Sequence, residues 1–213
     1  RSKHDLDVLT QTVGSLQPEG FAKLADATKD NLAKFNNLYG YYDLFLINSD
    51  GHIFYTVCEE PDFNTNIITG KYKDSNLGEL VRRVKASGNF GFADFKRYAP
   101  SNGAPAAFIA QPLIRNGKTE LIVALQVPLD PINRIMGVRS GMGETGESYL
   151  VGSDKRMRSD SFLDKEGHSV LASFAGTVKK NGCDTEAVTE ALAGKTGAKI
   201  ITDYNGNPVL SAF

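Results

Sequence analysis

Residues 141–161 read Gly141-Met-Gly-Glu-Thr-Gly-Glu-Ser-Tyr-Leu-Val-Gly-Ser-Asp-Lys-Arg-Met-Arg-Ser-Asp-Ser161. This stretch places a glycine-rich hinge directly before a predicted strand, a tight turn and a second predicted strand. A very similar layout occurs earlier, where Tyr41-Tyr-Asp-Leu-Phe-Leu-Ile47 leads through the turn Asn48-Ser-Asp-Gly51 into His52-Ile-Phe-Tyr-Thr-Val57. The repetition predicts two related modules in tandem.

The residues that follow each predicted hairpin indicate which elements complete a module. After the first hairpin, the patterns predict a capped helix at 74–88, strands at 92–98, 106–113 and 120–128, and a helical connector at 130–136. The order strand, strand, helix and three antiparallel strands is typical of a PAS-like sheet. After the second hairpin (148–152 and 157–161), a helix at 184–193 and strands at 198–202 and 209–213 are predicted, without a counterpart of the fifth strand. The chain is therefore predicted to be α+β, with antiparallel sheets flanked by helices.

The first 40 residues have helical periodicity and are predicted to form an N-terminal helical stalk. Leu6, Leu9, Val13 and Leu16 fall on one apolar stripe. A second helix is predicted to start at Gln17-Pro-Glu-Gly20 and to run through Phe21, Leu24, Leu32, Phe35 and Leu38 to a stop near Gly40. The stripe has two interpretations, packing against its own domain or the seam of a homodimer, and the pattern alone leaves both open.

Composition excludes several functional classes. The chain has 213 residues and a formal net charge of -1, which gives no electrostatic reason to expect nucleic acid as a partner. No apolar run approaches the roughly 20 residues of a membrane helix, and no signal peptide is visible, so membrane anchors are expected outside this sequence. Cys58 and Cys183 have no local partner and are interpreted as ordinary small apolar residues.

Neither a catalytic site nor a cofactor site can be assembled from the sequence. The run Gly141-Met-Gly-Glu-Thr-Gly146 resembles a dinucleotide-binding loop, but such a loop follows a strand and opens a helix, and here the predicted order is reversed. The three histidines, His4, His52 and His168, lie in predicted helix, turn and loop positions. An acidic group, Asp154, Asp160, Asp164 and Glu166, matches no calcium loop and is interpreted as solvated surface. We predict no enzyme activity, no cofactor and no metal.

The polar strand 92–98 offers the first candidate ligand-binding residues. By two-residue alternation, Asp94, Lys96 and Tyr98 share one face, and Phe95 and Arg97 share the other. If the first face lines a pocket, Asp94 would hold a ligand ammonium beside the Tyr98 hydroxyl. If the second does, Arg97 would clamp a carboxylate. The remaining interpretation is that the polar side is simply solvated.

Five further residues complete the candidate site. Gln126 is a lone amide in an otherwise apolar strand, where it needs a backbone partner or a ligand. Phe108 and Tyr55 would supply surface from neighbouring strands. Asp62 and Asn66, in the predicted long loop 58–73, would close over a ligand as a lid.

Four runs carry a family resemblance that covers nearly the whole chain: residues 41–47, Glu60-Pro-Asp-Phe-Asn-Thr-Asn66, residues 99–110 and residues 141–161. Together they resemble the double Cache extracytoplasmic sensor domains of bacterial transmembrane receptors of the chemoreceptor and sensor histidine kinase type. The resemblance implies a long N-terminal helix, a membrane-distal PAS-like ligand-binding module at 41–136 and a membrane-proximal PAS-like module at 137–213, incomplete at its end. It also implies a periplasmic domain of an inner-membrane protein with a cytoplasmic output outside this sequence.

These observations predict a sensor domain that binds a small molecule in the distal module and transmits the signal across the membrane. An amino acid, an amine or a small carboxylate all fit the candidate residues. A homodimer through the N-terminal helix is expected. The alternative is a periplasmic protein-interaction module that docks a ligand-loaded binding protein, which should show an apolar-filled core and an exposed patch in place of a buried polar site.

Overall fold

The computed structural model describes residues 2–15 and 26–213. The predicted helical positions Leu16, Phe21 and Leu24, and the predicted helix start at residues 17–20, lie outside the described residues. The chain divides into two compact units, Arg1–Pro128 and Leu129–Phe213. The first unit groups the N-terminal helices with the first sheet; the assignment of residues 41–136 and 137–213 to distal and proximal modules stays a prediction.

The first unit consists of one five-stranded antiparallel sheet and three described helices. In chain order these are α1 (Ser2–Gly14), α2 (Asp26–Tyr39), β1 (Asp43–Asn48), β2 (Ile53–Thr56), α3 (Asn76–Ser87), β3 (Gly91–Tyr98), β4 (Ala104–Arg115) and β5 (Lys118–Val127). The strands lie in the order β2-β1-β5-β4-β3. The predicted α+β class and antiparallel sheet are confirmed, and the order of strands and helix follows the one predicted from the sequence.

Local sequence signals set the bounds of α3. The Ser75 side chain accepts a hydrogen bond from the Gly78 amide and caps the start of the helix. Gly88 ends it in the left-handed conformation, with φ 68°, which favours glycine. The apolar side of α3 packs on one face of the sheet, hereafter the α3 face, together with residues 58–75, which we call the covering segment.

The opposite face of the sheet is covered by the N-terminal helices. Leu6, Leu9 and Val13 are fully or almost fully buried and pack with apolar side chains of β1, β4 and β5. Of the two interpretations of this stripe, the structure supports packing against its own domain. A homodimer through α1 would have to use the other side of the helix. Because α1 has 13 residues, α2 has 14 and residues 16–25 are not described, a single long helix stays a prediction.

A bulge in β3 changes the faces predicted by strict alternation. The register between β3 and β4 shifts between Ala93 and Lys96, so two residues of β3 lie opposite one of β4. Lys96 and Tyr98 share the α3 face as predicted, but Asp94 lies in the bulge and is exposed. Arg97 is also exposed. The prediction that Asp94 shares a face with Tyr98 is therefore wrong, because alternation holds only where the ladder is unbroken.

The second unit has less regular structure than predicted. It contains α4 (Leu129–Met136), α5 (Val170–Ala175), α6 (Val178–Asn181), α7 (Glu186–Leu192), β6 (Ala198–Thr202) and β7 (Pro208–Ala212). β6 and β7 form the two-stranded hairpin that the sequence predicts. The predicted hairpin at 148–161 is reduced to one bridge, Val151 with Met157. The ladder stops there because the Leu150 amide donates to the Ser159 hydroxyl and not to a backbone carbonyl.

One arginine side chain makes several hydrogen bonds to the backbone of the predicted hinge at residues 141–146. Arg139 donates hydrogen bonds to the carbonyl oxygens of Gly143, Glu144 and Gly146, and its guanidinium lies 3.7 Å from the centre of the Phe162 ring.

Both cysteines are free. In residues 2–15 and 26–213, no helix is long and apolar enough to span a bilayer.

Candidate functional site

Polar side chains with unpaired atoms are buried on the α3 face of the first unit, and they define the candidate site. Asp43 opens β1, Gln126 lies near the end of β5, Asn76 opens α3, and Asp62 lies in the covering segment. All four are at most 5% exposed. We call them the acceptor cluster, because each has a buried side-chain oxygen without a hydrogen-bond partner: Asp43 Oδ2, Asp62 Oδ1, Asn76 Oδ1 and Gln126 Oε1.

Sheet register brings the members of this cluster to one region. Asp43 lies opposite Gln126, and Gln126 lies opposite Phe108 of β4. The Phe108 ring contacts the Tyr98 ring edge to face, with 4.9 Å between their centres. The Tyr98 hydroxyl donates a hydrogen bond to Asp62 Oδ2 and so links the covering segment to β3. The cluster therefore occupies one end of the α3 face, beside two aromatic rings.

The partnered atoms of the cluster fix the side-chain orientations. Asp43 Oδ1 accepts from the amides of Leu44, Val57 and Cys58, at 2.7, 2.8 and 3.1 Å. Asn76 Nδ2 donates to the carbonyl oxygens of Asp94 and Ala106, at 2.9 and 2.8 Å. Because one end of the Asp43 and Asn76 side chains is held this firmly, the unpartnered oxygen at the other end of each is also fixed in place.

Burial dominates the electrostatics of both carboxyl groups. Burial raises the pKa of Asp43 to about 7, against the lowering effect of its three amide donors, and the charge of Asp62 raises it further. Burial also raises the pKa of Asp62, although the Tyr98 hydroxyl opposes this shift. Among the described residues of the first unit, every lysine, arginine and histidine is at least partly exposed, so no buried cation balances these carboxyls.

The covering segment is fastened over this region by Glu60. Glu60 Oε1 accepts from the Tyr42 hydroxyl at 2.9 Å, and Glu60 Oε2 accepts from the Ser101 hydroxyl at 2.6 Å. We call these two bonds the Glu60 clasp. Farther along the segment, Ile67 is fully buried on the α3 face. A ligand that enters from this side would have to displace part of this segment.

The structure brings together four of the eight predicted site residues. Asp62, Tyr98, Phe108 and Gln126 meet on the α3 face as described above. Asp94 and Arg97 are exposed on β3. Tyr55 lies on the opposite face of the sheet, where its hydroxyl donates to the Lys29 carbonyl. The expectation that Tyr55 and Phe108 would line one pocket is therefore wrong, because Tyr55 pairs with Leu46 and shares its face.

Asn66 has an architectural role in place of the predicted lid contact. Its Nδ2 donates to the Asp50 carbonyl, and its Oδ1 accepts from the amides of Ile68 and Thr69. Its backbone also bridges His52. These contacts hold the covering segment against the first hairpin turn, and they use the polar atoms that a ligand would need.

Sequence reasoning missed Asp43 and Asn76. Asp43 interrupts the apolar run of β1 as Gln126 interrupts that of β5, and the same test, a lone polar residue in an apolar strand, would have found it. Asn76 follows the capping residue Ser75, and the capping pattern hid its second role.

The second unit contains a separate, half-open cavity of about 600 Å³. Its walls are mainly apolar and come from residues 142–151, from α7 and from the end of the chain. Three residues of the predicted acidic group have internal partners: Asp154 pairs with Arg158, Asp164 with His168, and Asp160 accepts from the Val170 amide. Within residues 2–15 and 26–213, no group of three or more histidine, cysteine, aspartate or glutamate side chains could hold a metal ion.

Comparisons with known proteins agree on the fold. No family model and no curated protein sequence matches the chain. Among solved structures, the extracellular domain of rpHK1S-Z16, a protein assigned as a histidine kinase, is 13% identical with a TM-score of 0.63, over 99% of this chain and 81% of that one. An extracellular ligand binding receptor from Desulfohalobium retbaense is 11% identical with a TM-score of 0.58; the match covers 93% of this chain but only 32% of the receptor chain.

A third structure is the ligand binding domain of the Pseudomonas aeruginosa amino acid chemoreceptor PctC in complex with GABA. It is 14% identical with a TM-score of 0.53, over 99% of this chain and 88% of that one. The chain therefore has the fold of the extracellular sensor domains of chemoreceptors and histidine kinases. These neighbours agree with the resemblance to Cache-type sensor domains, while the long N-terminal helix and the two-module arrangement stay predictions.

Proposed function

We propose that this chain is an extracytoplasmic sensor domain that binds a small polar molecule at the acceptor cluster. The observation that carries the proposal is the set of four buried oxygen atoms without partners on one face of one sheet. Buried polar atoms are normally hydrogen-bonded, and leaving one unpaired costs about 1–3 kcal/mol. A ligand that donates to these atoms would recover that energy.

The remaining parts of the proposal follow from the fold and the resemblance. The domain would lie in the periplasm, with membrane anchors and an output domain outside this sequence. Residues 41–136 would form the distal module and residues 137–213 the proximal one. Because the chain spans about a third of the Desulfohalobium receptor, the activity and partners of the whole protein are also part of this proposal.

The packing of the first unit suggests how binding could reach the N-terminal helix. β5 carries Gln126 on the α3 face, while its Leu121, Val123 and Leu125 pack on the opposite face in the same cluster as Leu6 and Leu9 of α1. A ligand that pulls on β5 and the covering segment would therefore shift the surface on which α1 rests. Signalling would be a shift in population between two such arrangements.

A binding screen tests the proposed function. Amino acids, amines and small carboxylates would be screened by thermal shift, since the neighbouring structures include a domain named in complex with GABA. Ligand at about 100 times its Kd should add roughly 2.7 kcal/mol of stability. Any hit should weaken at least tenfold in Asp62→Asn and remain in Asp94→Asn, an exposed aspartate on the same sheet. If no compound binds the folded fragment, the protein-docking alternative takes its place.

A further inference from the structure

We infer that the acceptor cluster selects a protonated organic amine that carries no carboxylate group. This inference rests on the proposed function, because it takes the acceptor cluster to be the ligand site. Of the three compatible classes of ligand, it favours amines over amino acids and small carboxylates. Three features of the described residues support it.

The first feature is that the four unpartnered buried atoms of the cluster are acceptors, while the donors of Asn76 and of the neighbouring Tyr98 are already used. Asn76 Nδ2 already donates to two backbone carbonyl oxygens. The Tyr98 hydroxyl already donates to Asp62. The four unpartnered atoms are all oxygens. An ammonium group carries three N–H donors and no acceptor, so it could pair with three of these four oxygens. One buried water molecule has two donors and could pair with only two of them.

The second feature is charge. Asp43 and Asp62 are both fully buried, and no described lysine, arginine or histidine of the first unit is buried with them. A ligand carboxylate would bring a further negative charge into the same region, where no described cation is buried to receive it. In this environment a cation is the group that gains most from burial, because Asp43 and Asp62 can ionise beside it.

The third feature is the apolar wall beside the cluster. Phe108 lies between Tyr98 and Phe45, with edge-to-face ring contacts to both. The small side chains of Ala93 and Ala106 belong to the same face. Aromatic rings attract cations, and a short alkyl chain can pack against alanine and phenylalanine without polar partners. The ligand is therefore expected to combine an ammonium group with a short apolar chain.

Isothermal titration with matched four-carbon probes tests the inference. The probes are n-butylamine, 1,4-diaminobutane, γ-aminobutyrate and butyrate, each titrated into the fragment at pH 8. We expect at least one of the two amines to bind at least tenfold more tightly than γ-aminobutyrate, and butyrate to show no binding. Asp43→Asn should weaken the amine at least tenfold, while Asp94→Asn should leave its affinity unchanged.

A second measurement uses the wild-type protein, so that the inference can be tested even if the Asp43→Asn variant does not fold. Titrations near pH 7 in buffers of different ionisation enthalpy should show net proton release on amine binding, because a cation favours the ionised form of Asp43. Equal or tighter binding of γ-aminobutyrate or butyrate would overturn the amine inference and leave the proposed site standing. The same holds if neither amine binds while another compound of the wider screen does. If nothing binds in the wider screen either, the proposed function itself fails.

Discussion

Asp43 is a carboxyl group held in an apolar strand, and only one of its two oxygen atoms has hydrogen-bond partners. Burial raises its pKa to about 7, so the folded state holds a proton that the unfolded chain releases near pH 4. The stability from this proton is fully present below pH 4 and is lost as the pH rises towards 7. The groups whose charges act on Asp43 or respond to it are Asp62, Cys58, Tyr98, Tyr42 and Tyr55.

Without ligand, the free energy of unfolding of the wild-type protein should fall between pH 5 and pH 8. The free energy of unfolding of Asp43→Asn should fall less over the same range. We expect the difference between the two pH dependences to be at least about 1.4 kcal/mol, the equivalent of one pKa unit. Urea unfolding of both proteins at the two pH values measures it, with Asp94→Asn as the matched control. Identical pH dependences for wild type and Asp43→Asn would show that Asp43 does not hold a proton in the folded state.

Single residues also show how far sequence reasoning reaches. Gln126 and Asp62 were predicted as site residues and do meet on the α3 face, because a lone polar residue in an apolar strand and an acidic loop residue are visible in sequence. Asp94 and Arg97 were also predicted and are exposed, since the bulge in β3 depends on pairing with β4. Asn36 is a further buried polar residue that no pattern singled out; it bonds to the Tyr41 carbonyl.

At the scale of elements, the sheet separates two buried faces with different contents. The α3 face combines apolar packing with the acceptor cluster. The opposite face is apolar and packs against the apolar stripe of α1. In the sequence, turn residues and helix caps mark the bounds of every strand that was predicted for this sheet. The hairpin at 148–161 was predicted by the same signals and forms only one bridge, because the Ser159 side chain takes the place of a ladder partner.

Truncation of the α1 stripe tests whether that stripe belongs to the core of its own unit. Leu9→Ala should destabilise the fragment by about 2–5 kcal/mol, because Leu9 is buried among β-strand side chains. Val8→Ala, on the exposed side of the same helix, should change stability by less than about 1 kcal/mol. Chemical unfolding measures both. If Leu9→Ala instead left stability unchanged and dissociated a dimer seen by sedimentation, the stripe would be a dimer seam.

Removal of the Glu60 clasp should speed ligand exchange. In Tyr42→Phe combined with Ser101→Ala, both hydroxyl donors to Glu60 are lost, and the covering segment should open more often. We expect the association and dissociation rate constants of a ligand found in the screen to rise severalfold together in stopped-flow measurements. Tyr39→Phe serves as a control outside the clasp. Unchanged rates would mean that the ligand does not enter beneath this segment.

At the scale of the whole molecule, the chain combines a sensor-domain fold with a buried acceptor site and a separate apolar cavity in the second unit. The chain shares its fold with extracellular sensor domains at TM-scores of 0.53 to 0.63. A shared fold describes the architecture of such a domain but does not identify its ligand. The proposal for the ligand therefore rests on the residues of this chain, and on the acceptor cluster in particular.

A crystal structure of the fragment with the tightest-binding compound of the screen would locate the ligand directly. We expect its donor atoms within about 3.2 Å of Asp43 Oδ2 and Asp62 Oδ1, a hydrogen-bond distance, with the covering segment closed over it. A ligand bound only in the cavity of the second unit, with water on the acceptor cluster, would contradict the proposed site.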